Sequence, residues 1–235
     1  MIACVHQPNY LPWLGFFAKI SRSDVYVVLD NVQFPKNCWT NRVKIAGNGE
    51  PLWLTVPVRR GPLETLIADT EIDYSRDWVK QQRGTLEARY GRTPFFKDVY
   101  FDLAAILEIR SPALVELNIR LIRWVLGGCG VQTRVVIGSE LNVEGKASEL
   151  IVAQCQAVDA TTYLAGQGSA DYEDLEVYET AGIQYRRQEF GHPEYSQFGH
   201  PLFIPGLSIL DALFNVGFQG LRLLLTEQAT ARVRA

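Results

Sequence analysis

His6, Gln7, Asn9, Tyr10 and Trp13 follow directly on an apolar run, Ile2-Ala3-Cys4-Val5, with Pro8 and Pro12 set among them. An imidazole, two amides, a phenol and an indole are recognition chemistry, whereas a turn meant only to connect is more often Gly, Asp and Ser. A buried strand that ends in a stiff polar turn and then enters a helix is how α/β proteins build ligand sites at the carboxyl ends of their strands. The plainer alternative is a polar loop that solvates a strand end. A second apolar run, Val25 to Leu29, ends at Asp30. Imidazole and carboxylate at neighbouring strand ends can form an oriented base, the carboxylate fixing the ring's tautomer.

Downstream lies a polar, proline-started stretch, Phe34 to Arg42, that begins just after Gln33. Asn9 and Asn41 are expected to donate to a developing oxyanion. Lys36 and Arg42 are expected to hold a phosphate, Arg by its planar fork and Lys as a point charge. Trp13 or Trp39 can stack on a sugar or base, and Gln7, Tyr10 and Gln33 complete this candidate binding set. On the plainer view Asp30 caps a turn and Arg42 is a solvated hairpin residue. A second candidate is Gly166-Gln167-Gly168-Ser169 with nearby Tyr172, a Gly-rich turn that can offer backbone N–H groups to an anion at a helix start. Its ordinary alternative is a strand-to-helix turn with Ser169 as cap. In the tail, Tyr195, Gln197, Ser208, Asp211 and Asn215 form a further polar set. Asp211 and Asn215, four apart, share a helix face behind a Ser208 cap, as a lid edge or as capping.

Cys4 shares its strand face with His6 by alternation and is either a nucleophile beside a base or a small buried hydrophobe. The three histidines, His6, His192 and His200, match no metal-ligand spacing, and no metal site is expected. Cys4, Cys38, Cys129 and Cys155 are scattered without a CxxC pair and read as reduced thiols.

The elements that must position these groups follow from patterning. Strands at 2–5 and 25–29 with a short helix at 14–21 make a βαβ unit, which puts His6 and Asp30 at one sheet edge. Residues 43–45 and 52–58 around Gly47-Asn48-Gly49 predict an antiparallel hairpin. Helices are expected at 78–90 and 95–108, and after Ser111, with Pro112 in the first turn and Gly127-Gly128 at the end. The βα rhythm then returns: strands at 134–137, 161–164 and from 183, helices at 146–157, 171–181 and 208–215. About five parallel strands in a three-layer α/β sheet are expected, one domain over 1–235, with a hairpin insert at about 32–60 and a helical segment at about 76–127.

Apolar residues at 47% and charged residues at 21% describe a globular chain, and a net charge of −3 gives no long-range pull toward nucleic acid. Arg59, Arg60, Lys80, Arg83, Arg89 and Arg92 can form a local basic stripe or a solvated helix face. No membrane-spanning stretch and no export signal are expected, which implies a cytoplasmic location.

His6-Gln7-Pro8-Asn9-Tyr10-Leu11-Pro12-Trp13-Leu14-Gly15-Phe16-Phe17 resembles the opening motif of the WbqC-like protein family. The likeness continues through Asp30-Asn31-Val32-Gln33-Phe34, Asn41-Arg42, Trp53 to Val58, Tyr163 to Gly166 and Ser208 to Asn215, in order along the chain. The resemblance implies a place in bacterial surface-glycan assembly, of the O-antigen type, with glycine transfer to an amino sugar suggested for some members. It carries no settled catalytic residue, and family members often have a non-thiol near Cys38. The turn after the first strand also looks somewhat like that of HxGH nucleotidyltransferases, in a Rossmann-like sheet, but Leu14-Gly15-Phe16 stands where the second His would be. The leading expectation is an acyl- or aminoacyl-transferase acting on an amino sugar or nucleotide sugar. His6, helped by Asp30, would take the proton of the attacking amine, and an aminoacyl-tRNA is one candidate donor. No cofactor is assigned. The alternatives are a nucleotidyltransferase-like enzyme and a non-catalytic scaffold in a glycan-assembly pathway.

Overall fold

A parallel five-stranded sheet in the order β5-β2-β1-β6-β7 runs through the computed structural model, which describes residues 1–35, 38–47, 50–168 and 173–230. In chain order the elements are β1 (Ile2–His6), α1 (Leu14–Ile20), β2 (Val25–Val28), β3 (Arg42–Ile45), β4 (Leu52–Thr55), α2 (Trp78–Tyr90), α3 (Phe96–Glu108) and α4 (Leu114–Gly128). They continue with β5 (Arg134–Ile137), α5 (Ala147–Ala157), β6 (Thr162–Ala165), α6 (Leu175–Thr180), β7 (Gln184–Arg187) and α7 (Ile209–Thr230). The mixed α/β class, the parallel sheet and the β3–β4 hairpin are as the patterning predicts.

Alternation along β1 sorts its side chains between two cores. Ala3 and Val5 face Val152, Cys155 and Tyr178 of α5 and α6. Cys4 faces the larger core of α1, α2, α3, α4 and α7. Helices therefore cover both sheet faces, as a parallel sheet buried on both sides requires. Chain progression reverses at β1: β2 lies on one side and β6 on the other. That switch point is where open α/β sheets leave a crevice beyond their strand ends.

Several local expectations are corrected. Pro112 precedes α4 rather than opening it, and its carbonyl accepts from the Ile72 N–H. The helix expected from 171 begins at Leu175, where the Asp174 carboxylate already accepts from Glu176 N–H. The helix expected at 208–215 continues to Thr230 through a break at Gly217, whose φ of 67° is open to glycine and strained for other residues. Its stretch Ile209–Thr226 has a mean hydropathy of 1.2, long and apolar enough to span a membrane, contrary to the expectation of no such stretch. Packing accounts for that composition: 56% of the stretch is buried, with Leu210, Leu213, Phe214, Leu221 and Leu225 in the core. The basic residues do not form one stripe, since Arg59 pairs with Glu71, Arg83 with Glu108, and Arg92 lies over the Phe198 ring.

Candidate active site at the carboxyl end of β1

The turn that leaves β1 is held rigidly from three directions. Its Leu11 has φ 43°, a left-handed conformation that costs a side-chain-bearing residue about 1–2 kcal/mol. The start of α7 holds it there: Ser208 Oγ–H donates to Leu11 C=O at 2.8 Å, and Ile209 N–H to Pro12 C=O at 2.9 Å. From the other side, the buried Asn118 of α4 donates through Nδ2 to both Pro8 C=O and Thr40 C=O, each at 2.7 Å. Tyr10 N–H donates to Trp39 C=O at 2.9 Å, and the buried Tyr10 hydroxyl to Gln82 Oε1 at 2.6 Å. Tyr10 is thus a bolt to α2 and not a ligand-facing group. Backbone strain of this kind persists only where surrounding structure over-determines it, and it clusters at functional sites.

What the turn leaves half-buried is His6, Gln7 and Asn9. The Gln7 and Asn9 amides make no hydrogen bond among the described residues. His6 packs on Phe16 with ring centroids 5.1 Å apart, and its Nδ1 lies 2.8 Å from Lys19 Nζ. Lys19, only 2% exposed, reaches His6 from α1, an element buried at all seven positions. Burial, opposed by the Cys4 thiol and Glu173, pushes the Lys19 amine below its ordinary range. Burial, and then the Lys19 charge, push His6 well below its ordinary value. An ammonium has donors and no acceptor, so with Lys19 charged Nδ1 accepts and the ring proton sits on Nε2. His6 is therefore a neutral imidazole whose free nitrogen offers an N–H, a donor to developing negative charge and a poor base.

The partner of His6 is thus Lys19 and not Asp30. Asp30 sits two residues past the end of β2, at the sheet edge the βαβ unit predicts. Its carboxylate accepts from Ser139 N–H at 2.8 Å and Ser139 Oγ–H at 2.7 Å, tying the exit of β5 to that of β2. This is the turn-capping alternative. Cys4 is fully buried and its thiol raised by burial, which makes it a core hydrophobe in place of a nucleophile.

Across the switch point, Gly166 follows β6, and a Cβ there would stand 3.9 Å from Lys19 Nζ. Gln167 Nε2 donates to Phe190 C=O at 2.9 Å. The anion loop drawn from this segment loses its helix, because Asp174 supplies the negative charge at the start of the six-residue α6. Lys36, Ser169 and Tyr172 lie outside the described residues. Trp13 forms one rim of the site, its edge against Phe190 at 5.2 Å and its ring 6.1 Å from His192.

Other candidates serve the scaffold. Asn41 Nδ2 donates to Val56 C=O at 3.0 Å, and Gln33 Nε2 to Leu63 C=O at 2.6 Å. Asp211 accepts from Tyr90, Tyr195 and Gln197, and Asn215 Oδ1 from Phe198 N–H. Asp211 and Asn215 therefore bolt α7 to the tail instead of edging a lid. Arg42 lies over the Trp53 ring at 4.3 Å, and Trp39 sits 5.3 Å from the same ring. A cleft of about 890 Å³ lies apart from His6, lined by Phe34, Arg60, Leu63 and Thr65 among others. The Arg59 and Glu71 that flank it pair with each other, and Asp69 also lines it.

Sequence reasoning misses Lys19. The signal was present: a lone cation inside Leu14-Gly15-Phe16-Phe17-Ala18-Lys19-Ile20, five residues beyond a turn rich in polar groups.

A family model described as "WbqC-like protein family" matches residues 7–223 of the chain. The "Uncharacterized protein Rv1507c" of Mycobacterium tuberculosis (strain ATCC 25618 / H37Rv) is 33% identical over 214 residues, covering 90% of this chain and 92% of that protein. No solved structure matches. A match running from the polar turn of β1 into α7 makes the chain a member of the WbqC-like protein family.

Proposed function

We propose that this protein transfers an acyl or aminoacyl group, glycyl being the one the family resemblance implies, to the amine of an amino sugar in bacterial glycan assembly. The observation that carries this is the neutral His6, fixed through Nδ1 by the buried Lys19 and flanked by the uncommitted amides of Gln7 and Asn9 at the sheet's switch point. N–H donors of an imidazole and two amides in one strand-end turn are the groups that can stabilise an acyl carbonyl as it becomes an oxyanion.

In such a transfer the amine nitrogen attacks the carbonyl carbon of an ester or thioester, forming the C–N bond as the π electrons move to oxygen. His6 Nε2–H, with Gln7 and Asn9, stabilises that oxyanion. When the carbonyl re-forms, the bond to the leaving oxygen or sulfur breaks, and the leaving atom takes the proton that the amine nitrogen loses. No protein base is needed at that step. This fits a His6 whose burial opposes protonation better than the base role expected of it beside Asp30.

The test is to incubate the purified chain with glycyl and acyl thioesters or aminoacyl-tRNA and a panel of amino sugars, free and nucleotide-linked, and to read product by mass. Wild type yields acylated sugar, and His6→Ala lowers the rate about a hundredfold or more, the usual scale for loss of an oxyanion donor. Equal rates in the two proteins would refute the assignment of His6. An unacylated panel would count against transfer itself.

A further inference from the structure

We infer that the outward face of the β3–β4 ribbon, together with Trp39, binds the nucleoside diphosphate moiety of a nucleotide-activated sugar. This rests on the proposed sugar chemistry only for the identity of the ligand.

The ribbon has two unlike faces. Val43, Ile45 and Leu54 point into the core, each at most 3% exposed. Arg42, Lys44 and Trp53 point the other way, Lys44 directly opposite Trp53 in the register. Trp39 and Trp53 are 49% and 42% exposed, and their rings lie 5.3 Å apart. The Arg42 guanidinium lies 4.3 Å over the Trp53 ring and the Lys44 ammonium 5.2 Å from it. Arg42, Lys44 and the tilted Trp39 ring, 40° from the Trp53 plane, thus gather around Trp53, and Trp39, half in water, offers an exposed indole. A nucleobase can stack on that indole, because every base has a π face. The Lys44 ammonium beside the rings offers a point charge to phosphate, and Arg42 adds positive charge to the same face.

The platform is also tied to the candidate active site. Trp39 C=O accepts from Tyr10 N–H, and Asn118 binds Pro8 C=O and Thr40 C=O together. Trp39 and the turn bearing Gln7 and Asn9 are therefore held as one wall. A net charge of −3, with two cations at the rings among the described residues, favours a nucleotide over a long polyanion such as RNA.

The test is a binding titration of the full chain, by calorimetry, with UDP, ADP, GDP, CDP and dTDP. Uridine, inorganic pyrophosphate and the RNA trimer CCA are titrated alongside. At least one nucleoside diphosphate is expected to bind more tightly than nucleoside or pyrophosphate. Trp39→Ala weakens it tenfold or more, Trp39→Phe retains most of the affinity, and Lys44→Gln weakens it and flattens its dependence on salt. His6→Ala binds as wild type does, which separates this inference from the catalytic proposal. Failure of all five diphosphates to bind at millimolar concentration would overturn it. So would binding that is indifferent to Trp39→Ala, or CCA binding more tightly than every diphosphate. Nucleotide binding without acyl transfer would support the platform while removing the transferase. Transfer to a free amino sugar with no nucleotide bound would do the reverse.

Discussion

Lys19→Met is the substitution that most directly tests the site's electrostatics. The lysine is 2% exposed, and its Nζ lies 2.8 Å from His6 Nδ1. Two unit charges about 4 Å apart repel by about 4 kcal/mol at an effective dielectric near 20, so both groups cannot be charged at once. Removing the ammonium relieves a desolvation cost of several kcal/mol. Against this stands the loss of one hydrogen bond to Nδ1, about 1–3 kcal/mol when the acceptor is left without a partner. The expected balance is a gain of about 1 kcal/mol, which raises Tm by about 2–4 °C in a chain of this size. The second readout is the His6 imidazole resonance followed against pH, assigned by its absence in His6→Asn. Its titration moves upward in Lys19→Met and stays below that of a free histidine, because burial is the larger cause and remains. The sign for stability follows from the depressed folded-state value. As pH falls below about 6.5 the unfolded chain takes up the proton first, so His6 costs stability progressively down to its folded midpoint. The cost approaches about 1.4 kcal/mol per pH unit within that window, and His6→Asn is expected to flatten this slope. A loss of about 2 kcal/mol or more in Lys19→Met, with the His6 titration unmoved, would refute the coupling of the pair.

Two further perturbations test the scaffold around the turn. A Cβ on Gly15 would meet the Trp13 ring at 2.3 Å, so Gly15→Ala must displace the indole and is expected to cost about 1–2 kcal/mol net of its helix-propensity gain. Gly84, inside α2 with nothing within 4 Å of its would-be Cβ, is the control: Gly84→Ala stabilises by about 0.5–1 kcal/mol, and thermal unfolding showing the same sign for both would contradict the Trp13 packing. Asn118→Leu removes both bonds to Pro8 and Thr40 carbonyls and is expected to cost about 2–4 kcal/mol. Amide exchange at Tyr10, whose N–H donates to Trp39 C=O, quickens in that variant if the two segments are held as one wall.

The fold was legible because its signals are local and periodic. The short β-branched runs at Val25–Val28 and Arg134–Ile137 each follow a helix, and both become parallel strands of one sheet, hydrogen-bonded to each other. The boundaries that slipped were set by tertiary partners. Pro112 stays outside α4 because its carbonyl is claimed by Ile72, and α7 runs past Asn215 because its buried leucines continue to Leu225. Composition likewise could not tell a core helix from a membrane span over Ile209–Thr226, since both are apolar and the difference lies in what packs against them.

The candidate site was legible only in part, for a different reason. Residue type and position in a turn located His6, Gln7 and Asn9 correctly at a strand end, but could not say which polar groups satisfy one another. Asp30 lies near the same sheet edge, and its carboxylate is satisfied by Ser139, which arrives from β5, 109 residues later. Asn41, Gln33, Asp211 and Asn215 are likewise consumed by backbone or side-chain partners, as most polar side chains in a packed domain are. Lys19 is the instructive exception. A lysine in a helix of seven residues reads as a solvated edge, yet α1 is buried all round by the sheet and α7, so the amine has nowhere to go but His6. A buried cation is costly and is retained only where something offsets that cost. Its contact with the one histidine at the switch point, and not any match to a catalytic pattern, is why the chemistry is placed at His6. The same contact makes that imidazole a donor and not a base.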